Sequence, residues 1–538
     1  MPVSVSPHSC WGTRLLGRRR TARSRLTVPI SKYHALFAQD DWKITRRLTL
    51  NLGLRWEYTA PVTDRFNTLS NFDPKATLPI QAPGLNLKGA LTYPGVGGNP
   101  RALTEPDRNN FGPRFGFAYQ TNSKMVVRGG YGVIYIPLKA ATFAATGFSS
   151  TTSMVTSLNN GLTPVNTISN PFPNGIIKPT GSSLGAATGL GGSVSGQRGD
   201  ATLGYVQQWN LTVQYQPIQN WLVEVAYLGN KGVHLLTTGI NANQLDPQYL
   251  ALGSALNQTV ANPFFGLLPA GASLSSATVS RQQLLLPYPQ FTAVNAGYGG
   301  LGNSNFHAGS LKVEKRLSHG VSFSVSYVYG KIIDAATLST SGRSNATPDT
   351  GVVNWYNLRA ERSVSTNSIA HRVIGSVLWQ LPVLQGSGIV NRAFGGWQLN
   401  VIPTLETGRP IALSAGGIAG RPNVVPGQKP RVDEPTLTRW FNTAVYSIPA
   451  AFTYGNSART IPGVTSDGIV NFDASLFKDF KVTERVALQF RAETFNTFNH
   501  VTFEEPNRTV GTALFGVVSA VAPNPGPRRM QMGLRLSF

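Results

Sequence analysis

Apolar and polar residues alternate with a period of two in several stretches of this chain. In residues 48–58, Leu48, Leu50, Leu52, Leu54, Trp56 and Tyr58 interleave with Thr49, Asn51, Gly53, Arg55 and Glu57. Residues 321–329 repeat the pattern, with Val321, Phe323, Val325, Tyr327 and Tyr329 set against Ser322, Ser324, Ser326 and Val328. It returns at the end, where Met530, Met532, Leu534, Leu536 and Phe538 alternate with Gln531, Gly533, Arg535 and Ser537. Successive side chains of a strand point to opposite faces, so each stretch predicts a β-strand with one greasy and one polar face. A soluble sandwich alternates in the same way, but length separates the two cases. The runs last 9 to 13 residues, whereas globular strands cluster near 5 or 6 and a tilted strand needs about 9 to 11 to cross a bilayer. The polar faces also carry Arg, Glu, Gln and Asn at mid-strand, which a dry sandwich core rejects and a wet or plugged lumen accepts.

Thirteen such crossings are expected, near residues 33–44, 48–60, 113–121, 125–136, 204–216, 220–235, 304–317, 320–334, 367–382, 396–413, 468–480, 484–498 and 526–538. Their connections alternate between short and long. The short ones lie at 45–47, 121–124, 217–220, 318–320 and 482–484, with 383–395 intermediate; the long ones cover roughly 61–112, 137–203, 236–303, 335–366, 414–467 and 499–525. Outer-membrane barrels have short periplasmic turns and long outside loops, so the alternation assigns the sides. The loops are rich in Gly, Asn, Ser and Pro, as in 188–200, and this composition reads as exposed coil. Trp and Tyr fall largely toward run ends, where aromatic girdles meet lipid headgroups. The expected fold is therefore all-β, an antiparallel transmembrane β-barrel with about 13–14 strands in this chain. Thirteen is odd, and bacterial single-chain barrels have even counts. Either a strand is miscounted, with Gly408 and Pro410 able to break 396–415 in two, or strands encoded upstream are missing.

Composition agrees with an all-β chain. Of 538 residues, 41% are hydrophobic and only 13% charged, with 56 Gly and 36 Pro; no apolar run is long enough for a membrane helix. A net charge of +23 raises the question of nucleic acid. Six of the arginines (Arg14, Arg18, Arg19, Arg20, Arg23, Arg25) are crowded into the first 30 residues and the rest are dispersed. Dispersed positive charge suits loops and lumen walls at an anionic membrane surface, so no nucleic-acid partner is expected. Cys10 is the only cysteine, which excludes an internal disulfide and a thiolate metal site. No apolar stretch follows the basic N-terminus, so it does not read as a secretory signal. Residues 1–31 are expected to be a basic non-barrel segment, a spurious or truncated start, ahead of a barrel domain at 32–538.

At this point longer blocks become informative. Residues 37–58 (FAQDDWKITRRLTLNLGLRWEY), 109–119 (NNFGPRFGFAY), 395–411 (GGWQLNVIPTLETGRPI) and 471–500 (NFDASLFKDFKVTERVALQFRAETFNTFNH) resemble the barrel of TonB-dependent, Oar-like receptors, over about residues 32–538. The terminal strand, with Leu534, Leu536 and Phe538, resembles the assembly signal of outer-membrane proteins. The resemblance implies a bacterial outer-membrane barrel of 22 strands plugged by an N-terminal domain, with the barrel-assembly machinery, outer-membrane lipid and lipopolysaccharide as partners. A TonB-contacting segment precedes the plug in that family. Neither plug nor contact segment is read in this chain, so contact with the TonB complex is expected only through a missing N-terminal region, and the chain is expected to be a fragment.

No zinc-binding His-Glu-x-x-His, nucleophile elbow or phosphate loop occurs, so neither enzymatic activity nor a cofactor or metal is expected. Arg55 with Glu57, Arg128, Glu224, and Arg491 with Glu493 are candidate lumen-facing residues on a ligand path; ladders of opposite charge between neighbouring strands explain them equally well. Asp473 and Asp479 are weaker candidates for cation binding. The expected function is capture and passage of a large ligand across the outer membrane when a plug is present. The alternative is a passive porin or a structural, adhesive barrel, while a soluble adhesin conflicts with the strand lengths.

Overall fold

The computed structural model describes residues 20–538 apart from 138–142, 160–161, 164, 168, 198–201, 236–239, 270, 298–299, 336–351, 383–394, 417–419 and 482. Most of the basic N-terminal segment, Cys10 and residues 383–394 of the 383–395 connection lie outside the described residues.

One antiparallel meander dominates the chain. Its strands are β1 (Tyr33–Lys43), β2 (Leu48–Thr59), β3 (Asn110–Asn122), β4 (Met125–Ile136), β5 (Gly204–Tyr215), β6 (Trp221–Leu235), β7 (Gly302–Ser318), β8 (Val321–Ala335), β9 (His371–Gln380), β10 (Trp397–Glu406), β11 (Ile469–Lys481), β12 (Ala487–Phe495) and β13 (Arg529–Ser537). Each pairs with its neighbour in sequence, and a short fourteenth strand, Arg362–Val364, pairs with the end of β8. The expected thirteen crossings and their order are present. The largest boundary difference is in β10, which stops at Glu406, and Pro410–Ala412 leaves the large sheet to pair with Thr460–Thr465. Proline has no N–H for a ladder, and here it marks the exit from the sheet.

Local chemistry sets the short turns. In the β1–β2 turn, Thr45 Oγ1 accepts from the N–H groups of Arg47 and Leu48 at 3.1 and 3.0 Å. Thr483 does the same for Arg485 and Val486 at 3.3 and 3.0 Å between β11 and β12, so the similar TRR and TER triplets make the same side-chain-capped turn. Between β7 and β8, His319 and Gly320 both adopt positive φ, 51° and 73°. That is the backbone of a primed hairpin turn, whose twist matches the flanking strands.

Along the sheet, residues opposite one another share a face. Leu52 stands beside Phe115, Phe115 beside Tyr131 and Tyr131 beside Trp209, so these belong to one apolar face. Asn51, Gly116, Gly130 and Asn210 line the other. Close packing on the apolar face fixes some residues: a Cβ on Gly229 would come within 2.3 Å of the Trp209 indole, which lies across it.

Within the thirteen long strands the buried apolar side chains are Ala226, Ala308 and Ala335, while Leu54, Phe111, Val225 and Tyr329 are about half exposed. A single-layer sheet that meets lipid on one side and an aqueous space on the other has no protein layer to pack against, so its greasy face is not a core. The cores lie in the long connections instead. One holds Leu91, Leu190, Val194, Phe264 and Phe291 from three different loops; a second holds Ile411, Leu413, Phe441 and Ile461. The coil expected for 188–200 is corrected here, because Thr188, Leu190 and Val194 are buried and Ser193–Gln197 forms a parallel pair with Ala293–Gly297. Apolar residues spaced through Gly-rich sequence carry no strand or helix period, yet they bury area once three loops meet. The two edges of the sheet, β1 and β13, are exposed on both faces, and no pairing joins them among the described residues.

Candidate functional site: the polar wall and the loop cap

All six candidate charged residues stand on the polar face, but they do not form one cluster. Arg55 Nε contacts Glu57 Oε1 at 2.6 Å along the same strand, and its Nη2 donates to the Tyr33 hydroxyl at 2.9 Å. Glu224 accepts from Gln214 Nε2 at 2.6 Å and lies opposite Lys312, which pairs with Glu314 at 3.0 Å. Arg491 and Glu493 do not pair with each other. Arg491 donates to Gln489 at 2.5 Å and covers the Phe477 ring, while Glu493 accepts from Gln531. Arg128 is exposed between Ala118 and Thr212. The pairs Arg55–Glu57 and Lys312–Glu314 run along a strand, and only Arg372–Glu406, at 2.7 Å, is a cross-strand ion pair of the ladder kind among the described residues.

Of the terminal residues, Leu534 and Leu536 stand on the apolar face opposite Phe490 and Leu488, and Phe538 is almost fully exposed. Asp473 accepts from Asn471 Nδ2 and the Asn496 N–H, and Asp479 accepts from Gln489. The described residues contain no group of three or more His, Cys, Asp or Glu arranged to hold a metal.

Sequence reading missed a groove of about 540 Å³ on the polar face of β3–β7. Gly130 and Gly132 leave its floor bare, and Arg114, Gln208, Asn210 and Asn230 stand around it. Only the register between four strands brings these residues together, so no local motif announces it.

Above the wall, the long loops form a stitched cap. The fully buried Gln290 donates from Nε2 to the carbonyls of Lys88 and Gly89 at 2.8 and 2.9 Å, joining two loops about 200 residues apart in sequence. Asp64 is buried and accepts from Val28 N, Phe66 N, Thr68 N and Thr68 Oγ1 at 2.6 to 3.0 Å. Burial alone would raise its pKa; the four donors outweigh that and hold the carboxyl below its ordinary value. Burial in the second loop core pushes the Tyr446 phenol up to about 12. Two buried ion pairs, Arg459–Asp334 and Arg421–Glu361, tie segments 352–370 and 420–468 to each other and to the end of β8. Arg459 also donates to the carbonyls of Glu361 and Asp334, both at 3.1 Å.

Residues 10–531 match the family model described as an outer membrane beta barrel domain. Comparison with curated protein sequences gives no match. Among solved structures, the chain is similar to the ferripyoverdine receptor of the Pseudomonas aeruginosa outer membrane, with 9% identity and a TM-score of 0.42 over 96% of this chain and 40% of that one. It is also similar to the ferric-catecholate import receptor Fiu from E. coli K12, with 10% identity and a TM-score of 0.40 over 94% and 45%. The siderophore receptor PiuA from Acinetobacter baumannii gives 10% identity and a TM-score of 0.41 over 94% and 43%. The chain thus spans less than half the length of these receptors. Long amphipathic strands in an unbroken antiparallel meander, and a family match over nearly the whole chain, lead to one conclusion: this chain belongs to the outer membrane beta-barrel family and resides in the bacterial outer membrane.

Proposed function

We propose that this chain is the barrel of an Oar-like, TonB-dependent receptor or transporter, whose outer loops capture a large ligand that the complete, plugged protein passes across the membrane. The observation that carries this reading is the loop cap. Passive diffusion needs only an open lumen, whereas loops with their own apolar cores and buried ion pairs hold a preorganised surface. The sequence blocks at 37–58, 109–119, 395–411 and 471–500 support the same family.

In this reading residues 32–538 are the barrel domain and 1–31 a non-barrel segment, of which Arg20–Ser24 pairs with Ser149–Ser153 and Pro29–Ile30 with Thr63–Asp64 in the long loops. The polar face bearing Arg55, Glu57, Arg128, Glu224, Arg491 and Glu493 lines the lumen, and the apolar face meets lipid. The terminal strand with Leu534, Leu536 and Phe538 is what the barrel-assembly machinery reads, and the TonB complex acts through an N-terminal region and plug. No chemical step is assigned to the chain. The test uses cells producing the protein with its upstream region and a pool of labelled oligosaccharides and peptides too large for general porins. Accumulation should stop when TonB is deleted or the proton-motive force is collapsed. Uptake unaffected by either would make the barrel a passive pore.

A further inference from the structure

The apolar face carries a row of bases that neither the strand pattern nor the receptor reading uses. Lys231 on β6, His307 on β7, Lys331 on β8 and His371 on β9 occupy adjacent strands on that face. His307 lies directly opposite Lys331. Lys231 is opposite Asn305, two residues from His307, and His371 is opposite Tyr329, two residues from Lys331. Four strands set side by side make the row about 14 Å long.

All four side chains are exposed. Neither lysine has an ion pair or hydrogen bond among the described residues. Lys315, on the same face near the short turn, instead donates to the carbonyls of Ser318 and Val321, both at 2.7 Å. From β5 to β10 this face carries no Asp or Glu at any register position. Acids such as Glu224, Glu314 and Glu406 all stand on the other side of the sheet. The charge is therefore one-sided and has no acidic partner among the described residues.

Height gives the row its meaning. Lys231 and Lys331 each stand ten residues up from the short-turn ends Trp221 and Val321. At about 3.3 Å per residue and a tilt near 40°, this places them roughly 25 Å above the turns, at the outer edge of the apolar band. A cation there stands among headgroups instead of acyl chains.

The histidines are held ready by tyrosines. His307 Nδ1 is 2.7 Å from the Tyr227 hydroxyl and His371 Nδ1 is 2.8 Å from that of Tyr327, with the rings stacked in both pairs. A hydroxyl donating to Nδ1 places the ring proton on Nε2, which then faces away from the tyrosine as a donor. The same arrangement occurs twice, on β6–β7 and on β8–β9.

We propose that Lys231, His307, Lys331 and His371 form a site for the phosphate groups of a phosphorylated glycolipid in the outer leaflet. Two ammonium groups and two imidazole N–H donors suit phosphate oxygens, and the flanking tyrosines and Trp209 suit the sugar and upper acyl region. The proposal rests on the reading that the apolar face meets lipid with the long loops outside.

The test measures binding of fluorescent diphosphoryl lipid A to the full chain folded in neutral detergent micelles, with dephosphorylated lipid A as the comparison probe. Lys231→Gln with Lys331→Gln should weaken diphosphoryl lipid A by about tenfold or more. The charge-matched pair Lys75→Gln with Lys429→Gln should leave binding unchanged, and the dephosphorylated probe should not distinguish wild type from the site variant. Equal binding of both probes to wild type, or an equal loss in the two double variants, would overturn the site. Flotation with zwitterionic liposomes tests the underlying reading separately. Wild type that floats but ignores the phosphates defeats the site alone, and wild type that never floats defeats the lipid-facing assignment and the site with it.

Discussion

Arg459→Met tests whether the loop cap is held by buried charge. The Arg459 side chain is 1% exposed, and Asp334, its partner at the end of β8, is 7% exposed. Besides the ion pair, the guanidinium satisfies the carbonyls of Glu361 and Asp334. Methionine fills much of the volume and offers no donor, so a buried carboxylate loses its main cation and two carbonyls lose a partner. Breaking one side of a buried pair costs about 3–5 kcal/mol, or roughly two to four orders of magnitude in the opening equilibrium. The strand ladder is untouched, because β8 keeps its pairing with β7 and β9. Hydrogen exchange by mass spectrometry should therefore show faster exchange in loops 352–370 and 420–468 and unchanged protection in β7, β8 and β9. Adding Asp334→Leu should recover much of the loss, since a pair replaced by apolar groups leaves no orphaned charge. Unchanged exchange in both loops, or equal loss of protection in the sheet, would refute the reasoning.

Other outcomes follow from the same geometry. Leu52→Arg should destabilise the barrel in vesicles by about 2–4 kcal/mol, and Asn51→Arg on the opposite face much less, read from urea unfolding; equal costs would contradict the assigned faces. Protease added outside cells should cut within the long loops and spare the turns at 216–220 and 319–320, and cleavage at those turns would invert the topology. Asp64 has a lowered folded pKa, so its contribution is present above the ordinary carboxylate value and is lost as pH falls through the lowered one. Proteolysis of the 60–109 loop should rise with acid in that window, and Asp64→Asn should abolish the dependence. Tyr446 has a raised pKa, so the second loop core should hold below about pH 10 and weaken as pH climbs toward 12, with Tyr446→Phe flattening the profile.

What the sequence determined by itself is the local part of the architecture. Period-two alternation placed all thirteen long strands in order, because a strand's faces are set by neighbouring residues and lipid rewards an unbroken greasy face. The turns were legible for the same reason: Thr45 and Thr483 cap them within three residues. The alternation of short and long connections was visible as spacing. Even so, it gave no sign of the loop cores, because the Gly-rich connections carry no strand or helix period and read as coil. Tertiary structure decided the rest. Phe264, Phe291 and Leu91 become a core only when separate loops meet, and Arg459 finds Asp334 across 125 residues of chain. The candidate charges shared a face as their parity required, but their partners depended on inter-strand register: Arg491 turned to Gln489 while Glu493 turned to Gln531 on the next strand. The polar groove and the row of Lys231, His307, Lys331 and His371 depend on that register too. A shift of one residue in a single strand carries its side chains to the other face, so sites assembled across strands exist only once pairing has fixed the whole sheet.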